Sequence, residues 1–299
     1  MPDRPRHLRP LHVALAFLIV AVWGTNFVVI KAGLDELPPF LFATLRFVAC
    51  ILPFVFFIAR PRVRWRWLAL YGVVLGAGQF GLMFSAMRAD ISPGMASLVV
   101  QVQVFFTIGL SMWLFHERAR AATWVGTLLA AAGLAVIGFH LDATITALGV
   151  ALVIGAALGW AVANVIVKGA ARDSAQPIDM LGFMVWSSLF AVPPLLLLTV
   201  AFEGWSEGIH AMAAASVAAW GAVAWQAVGN TLFGYAAWSW LITRYDAAVV
   251  TPYALLIPIF GMGSSALVLG ESLPPWKLAA AAMVLGGITL ITLAGRRRS

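Results

Sequence analysis

The chain has 299 residues, 62% of them apolar and 10% charged, with a mean hydropathy of +0.95 and a formal net charge of +7. Crossing about 30 Å of hydrocarbon takes roughly 20 residues at 1.5 Å rise, and here the charges gather in short intervals between apolar stretches of about that length, so the composition is that of a polytopic membrane protein. It leaves little chain for a soluble domain, and it assigns the positive charge to membrane rims rather than to a nucleic-acid surface.

Ten spans are predicted, at 11–31, 38–59, 66–87, 91–115, 121–139, 147–169, 179–201, 215–243, 247–269 and 275–294. The first follows a basic stretch ending at Arg9, but its apolar run is too long for a signal-peptide core, so it is read as an uncleaved span. Span two holds the single cysteine, Cys50, which excludes an intramolecular disulfide and reads as a packing residue. Span three is softened by Gly72, Gly76, Gly78 and Gly81, and span nine is interrupted by Pro252, Pro258 and Gly261. Such breaks persist in membranes where the freed backbone groups are buried in protein or face a water-filled cavity, which makes spans three, four, eight and nine the expected moving, cavity-lining elements. Spans five and ten carry small residues instead (Gly126, Ala130 and Gly133; Ala279, Ala282, Gly286 and Gly287) and read as close-packed scaffold. The longest connection, 202–214, is expected to be a covering loop. A turn at Asp142 divides the chain into units at 1–140 and 147–299.

The two units repeat one another. Trp23 and Lys31 stand eight residues apart with Asn26 between them, and Trp160 and Lys168 stand eight apart with Asn164 between them. An offset of 154 brings Phe106 onto Phe260, Gly109 onto Gly263, Ser111 onto Ser265, Glu117 onto Glu271 and Gly133 onto Gly287. Five spans per unit is an odd number, so the second copy enters the bilayer inverted, which is an arrangement of transporters that rock around a central site. The basic residues are divided between the rims: Arg4, Arg6, Arg9, Arg60, Arg62, Arg64, Arg66, Arg118, Arg120, Lys168, Arg172, Arg244, Arg296, Arg297 and Arg298 are assigned to one, and only Lys31, Arg46, Arg88 and Lys277 to the other. The first rim is therefore cytoplasmic, and both termini with it.

Polar side chains at membrane depth usually face the bundle interior or a cavity. Trp23 and Asn26 share a helix face, as do Trp160 and Asn164 and, on span eight, Gln226 and Asn230. Together with Gln79, Gln101 and Tyr253 they form the expected substrate site. Gln101 and Gln103 point in nearly opposite directions on an α-helix, so at most one of them is expected in the cavity. Lys31 and Lys168 read as interface anchors, and Glu117 and Glu271 as caps at the start of the following helices. No carboxylate lies in mid-span, all five histidines lie at ends or in loops, and no metal-binding or hydrolytic constellation is present at membrane depth. The residues thus point to a non-enzymatic carrier of neutral or zwitterionic small molecules, with no metal or cofactor.

The duplicated Trp-to-Lys motif, the Glu117 and Glu271 endings of spans four and nine, and the paired five-span halves resemble the EamA-type members of the drug/metabolite transporter superfamily, most nearly the YddG-type amino-acid exporters. The resemblance covers almost the whole chain. It implies a bacterial inner-membrane protein exporting aromatic and other neutral amino acids and related metabolites by alternating access, through a cavity built by spans one, three, four, six, eight and nine. The first-span glutamate of the family's small multidrug relatives is absent, which argues against their proton antiport. A monomer in the lipid bilayer, with no nucleic-acid partner, is expected. The alternatives are another cargo, such as a lipophilic cation or a sugar metabolite, or a passive channel.

Overall fold

The computed structural model describes residues 9–115, 121–244 and 250–296. The described residues form a bundle of α1 (Pro10–Leu34), α2 (Pro39–Ile51), α3 (Trp65–Arg88), α4 (Pro93–Leu114), α5 (Ala121–Gly138), α6 (Ala147–Asp173), α7 (Met180–Glu203), α8 (Trp205–Ala214), α9 (Val217–Trp238, continuing to Arg244), α10 (Ile257–Leu269) and α11 (Pro275–Arg296). Six of the helical stretches are long and apolar enough to cross a membrane, and a seventh joins them if α8 and α9 count as one bent span. Isolated bridges at Ile91, Asp142 and Ile145 are the described extended pairings, and Asp142 holds the turn there by accepting from Thr144.

Helix ends follow local chemistry. Pro39 opens α2 at a position where its missing N–H costs nothing. The helix stops at Ile51 because Leu52 precedes Pro53 and takes an extended conformation, so regular helix ends well short of the expected limit at 59. Gly270, at φ +68°, closes α10 in the left-handed conformation that glycine adopts without a Cβ penalty. The expected covering loop after span seven is largely the helix α8, which bends by 106° into α9.

Carboxylates fasten one helix to the start of another. Glu203 at the end of α7 accepts from the N–H groups of Phe40 and Leu41 in α2, Glu36 accepts from Ser216 before α9, and Asp90 accepts from Thr146 before α6. Each places negative charge at a positive helix end. The scaffold pair behaves as its small residues suggest: a Cβ on Gly287 would lie 2.3 Å from Gly126 O, and one on Gly133 3.0 Å from Ala280 O, so α5 and α11 pack backbone against backbone.

One position corrects the sequence reading, and a second is at its expected rim but buried. Arg46, assigned to the Lys31 rim, is fully buried in the middle of α2, because the helix begins at Pro39 and carries the residue inward. Lys277 is at that rim but is buried, held in an ion pair of 2.9 Å with Glu271.

Candidate functional site

Trp23 and Trp160, each near the middle of its helix, stand in the walls of two adjoining cavities. The larger, of about 470 Å³, lies toward the rim that carries Lys168 and is lined by Trp23, Tyr71, Gln101, Gln103, Thr107, Trp160, Asn164, Tyr235 and Trp238, among others. The smaller, of about 60 Å³, lies deeper and is lined by Trp23, Asn26, Phe27, Gln79, Phe80, Trp160, Asn230 and Tyr235. The two tryptophans, Tyr235 and Ile257 belong to both walls. Seven of the nine predicted contacts therefore converge from both halves of the chain. Gln226 and Tyr253 line neither cavity: Gln226 is buried behind Asn26, and Tyr253 packs edge-on against Phe17.

The amides differ in how they are held. Gln226 Nε2 donates to Asn26 Oδ1 at 2.6 Å, and the Nδ2 groups of Asn26 and Asn230 each lie 3.4 Å from Gln226 Oε1. Trp23 is fixed to the same region, its indole N–H donating to Asn230 O at 3.1 Å. Asn164 instead donates to Gln103 Oε1 at 3.2 Å and Thr107 Oγ1 at 3.3 Å, inside the larger cavity. Gln79 Oε1 and Gln101 Nε2 are buried with no protein partner, in side chains that line the smaller and the larger cavity respectively.

Backbone irregularities aim these groups. A π-helical segment, Val74–Gly81, carries Gln79, and a second, Trp225–Phe233, carries Gln226 and Asn230. Thr231 Oγ1 donates to Gln226 O, five residues back, in the second. π segments are rare and recur at functional sites, and these two fall in corresponding helices of the two halves, whereas a third, Thr199–Glu203, ends α7 and lines neither cavity. They leave no compositional trace beyond the glycines of span three. A 3₁₀ turn at Val100–Val102 explains another difference: Gln101 and Gln103 both line the larger cavity, because tighter winding brings residues two apart from about 160° to about 120° of separation. Tyr71, Tyr235 and Trp238 also belong to the wall. Aromatic residues are too frequent in this chain for depth alone to single them out.

Toward the opposite rim the helices close. A Cβ on Gly24 would lie 2.4 Å from Phe260 Cβ and 2.6 Å from Ile257 O, and one on Gly261 would lie 2.4 Å from Ser97 Oγ. Here α1, α4 and α10 touch through their smallest residues. Outside this contact lies a rim cavity of about 560 Å³ lined by Lys31, Arg88, Ser92, Glu271 and Lys277, among others. Glu271 accepts from Ser92 Oγ at 2.5 Å and from Gly94 N at 3.0 Å, and pairs with Lys277. It thus caps α4, not α11, the helix that follows it in the chain. Its repeat partner Glu117 lies outside the described residues. Lys31 pairs with Asp35 at its rim, and Lys168 is half-buried one turn beyond Asn164.

The EamA-like transporter family matches this chain twice, over residues 11–139 and 147–293. A "probable amino-acid metabolite efflux pump" of Salmonella typhimurium is 36% identical over 280 residues, covering 92% of each chain, and one of the same name from Escherichia coli is 35% identical with the same coverage. An uncharacterized inner membrane transporter of Escherichia coli, YedA, is 26% identical over 97% of this chain and 93% of its own. A solved crystal structure, 20% identical, superposes with a TM-score of 0.64 over 97% of this chain and 100% of its own, which bears on the fold alone. The chain belongs to the EamA-like family of membrane transporters, with one repeat of that family in each half.

Proposed function

We propose that the protein exports aromatic and other neutral amino acids and related metabolites across a bacterial inner membrane by alternating access. In this reading ten spans form two inverted units, both termini are cytoplasmic, and the larger cavity opens to the cytoplasm to receive the solute. The observation that carries the reading is the convergence of Trp23 and Trp160, from the two repeats, on the shared wall of two adjoining cavities, the smaller lined by Gln79 and the larger by Gln101, each amide with one buried atom that has no protein partner. Flat apolar walls suit a hydrophobic side chain, and the amides suit its polar end. The names of the two efflux-pump relatives agree with this cargo. Among the described residues no carboxylate lines either central cavity, which supports transport without an intramembrane proton relay.

The test is uptake by purified protein in proteoliposomes, using labelled phenylalanine, tryptophan, leucine and a sugar. Saturable uptake of the amino acids is expected, unaltered by an imposed proton gradient. Trp160→Ala should lower it for large side chains while the protein stays monodisperse. Uptake that does not saturate would mark a channel, and a Trp160→Ala variant with every flux unchanged would remove the tryptophan from the site.

A further inference from the structure

Arg46 is a buried cation in the bundle that the transport reading does not use. A cation at membrane depth is costly and ordinarily acquires a carboxylate. Among the described residues Arg46 has none. Its Nε and Nη2 donate to Thr231 Oγ1 at 3.2 and 2.7 Å, its guanidinium lies 3.5 Å from the ring centroid of Phe80 and 5.4 Å from that of Phe47, and its Nη1 has no partner. A hydroxyl and two aromatic faces stabilise the cation without cancelling its charge. Phe80 is shared, because the ring that packs on Arg46 also lines the small cavity with Trp23, Asn26, Gln79 and Trp160. The uncompensated charge therefore stands one ring away from the cavity, in surroundings where neither water nor salt screens it well.

We propose that Arg46 is a specificity determinant: its buried charge favours solutes that bring a carboxylate into the small cavity and disfavours cations that lack one. This deepens the transport reading and rests on it, since it takes the cavity between the tryptophans as the solute site. It also separates amino acids from lipophilic cations, which fit the same aromatic walls but meet a repulsive field. The hydrogen-bond chain from Arg46 through Thr231 Oγ1 to Gln226 O ties the charge to the segment that carries Asn230. Arg46 is thus a positioning and field-setting residue, with Phe80 between it and the solute.

The experiment compares uptake of phenylalanine with uptake of the permanent cation phenethyltrimethylammonium in proteoliposomes, for the wild type, Arg46→Lys, Arg46→Met and Arg46→Gln. The wild type should favour phenylalanine by at least roughly tenfold, the lower end of what a one-signed cleft achieves. Arg46→Lys should keep that preference, and the two neutral variants should lose most of it through a gain in cation uptake, which mere unfolding cannot produce. Wild-type uptake of the cation equal to that of phenylalanine overturns the proposal without any variant, as does an unchanged ratio in both neutral variants. An unchanged ratio alongside loss of both fluxes in Trp160→Ala would sink the Arg46 role alone. A shifted ratio alongside intact fluxes in Trp160→Ala supports the field from Arg46 and counts against the tryptophan walls.

Discussion

The contact between α1 and α10 and the contact between α6 and α4 are the same contact in the two repeats, and the structure shows them in different conditions. Gly24, one residue beyond Trp23, meets α10 at Phe260 and Ile257, near Gly261, with backbone and Cβ atoms in van der Waals range. The corresponding residues beyond Trp160 and on α4 are Ala161 and Thr107, and there the helices are joined through side chains, Asn164 reaching Gln103 and Thr107 across the wall of the 470 Å³ cavity. In the proposed transport cycle the first contact acts as the seal and the second as the mouth. In the inverted arrangement and alternating-access cycle proposed above, exchanging the two conditions generates a second state, open toward the Lys31 rim. The glycines also show that the exchange is unequal, since the α1–α10 contact approaches more closely than an Ala–Thr pair allows.

Filling the seal should therefore have the largest effect. Gly24→Val places a branched side chain where even a Cβ has no room. Overpacking of this kind costs about 1–3 kcal/mol, levied on the sealed state alone, and shifts the balance of two states by roughly tenfold to a hundredfold. Spin labels at positions 35 and 272, both exposed at the Lys31 rim, should move apart, and net transport should fall by about the same factor. Labels that keep the wild-type distance in a folded Gly24→Val protein would mean that this contact is not a gate.

The duplicated tryptophans and lysines are legible because their spacing survives whatever packs around them, and apolar run lengths overlap the six or seven helical stretches long and apolar enough to cross a membrane. What the sequence lacked was azimuth. Depth placed Gln226 and Tyr253 at the level of the site, but the π segment around Gln226 and the 3₁₀ turn Thr251–Leu256 around Tyr253 alter the 100° step on which any helical wheel depends. Arg46 was misread for a different reason. Basic residues in membrane proteins are usually at rims, and the sequence carries no sign that Thr231, Phe47 and Phe80 converge on this one. Glu271 was read as a cap for its sequence neighbour, whereas the N-terminus it meets belongs to α4, a contact only the folded bundle creates.

A smaller contrast separates the two asparagines. Asn26→Ala deprives the buried Gln226 amide of its main partner, which should cost about 1–3 kcal/mol and lower the melting temperature by several degrees. Asn164→Ala should cost no more than about 0.5 kcal/mol, because Gln103 and Thr107 line a cavity that water can enter. Thermal unfolding of the two variants in the same detergent gives the comparison directly. Equal losses would show that the Asn164 contact is as dry as the Asn26 contact, and the seal-and-mouth distinction would then have to be redrawn.

The smallest expected effect lies at the Lys31 rim, where Glu36 ties the end of α1 to the start of α9. Its carboxylate accepts from the hydroxyl and the N–H of Ser216, and these two donors hold its pKa below the usual value of 4.5. A carboxylate depressed in the folded state contributes stability that is present above its unfolded pKa and lost as the pH falls through its folded one. The wild type should thus lose this contribution on acidification below about pH 4.5. Glu36→Gln keeps an amide oxygen for Ser216 but has no proton to gain, so its melting temperature should fall less steeply between pH 5 and pH 3. The other rim carboxylates titrate in both proteins and cancel in the difference. Because Glu36 is fully exposed, solvent screening keeps the effect small, and parallel acid profiles for the two proteins would show that the tie between α1 and α9 contributes nothing through its charge.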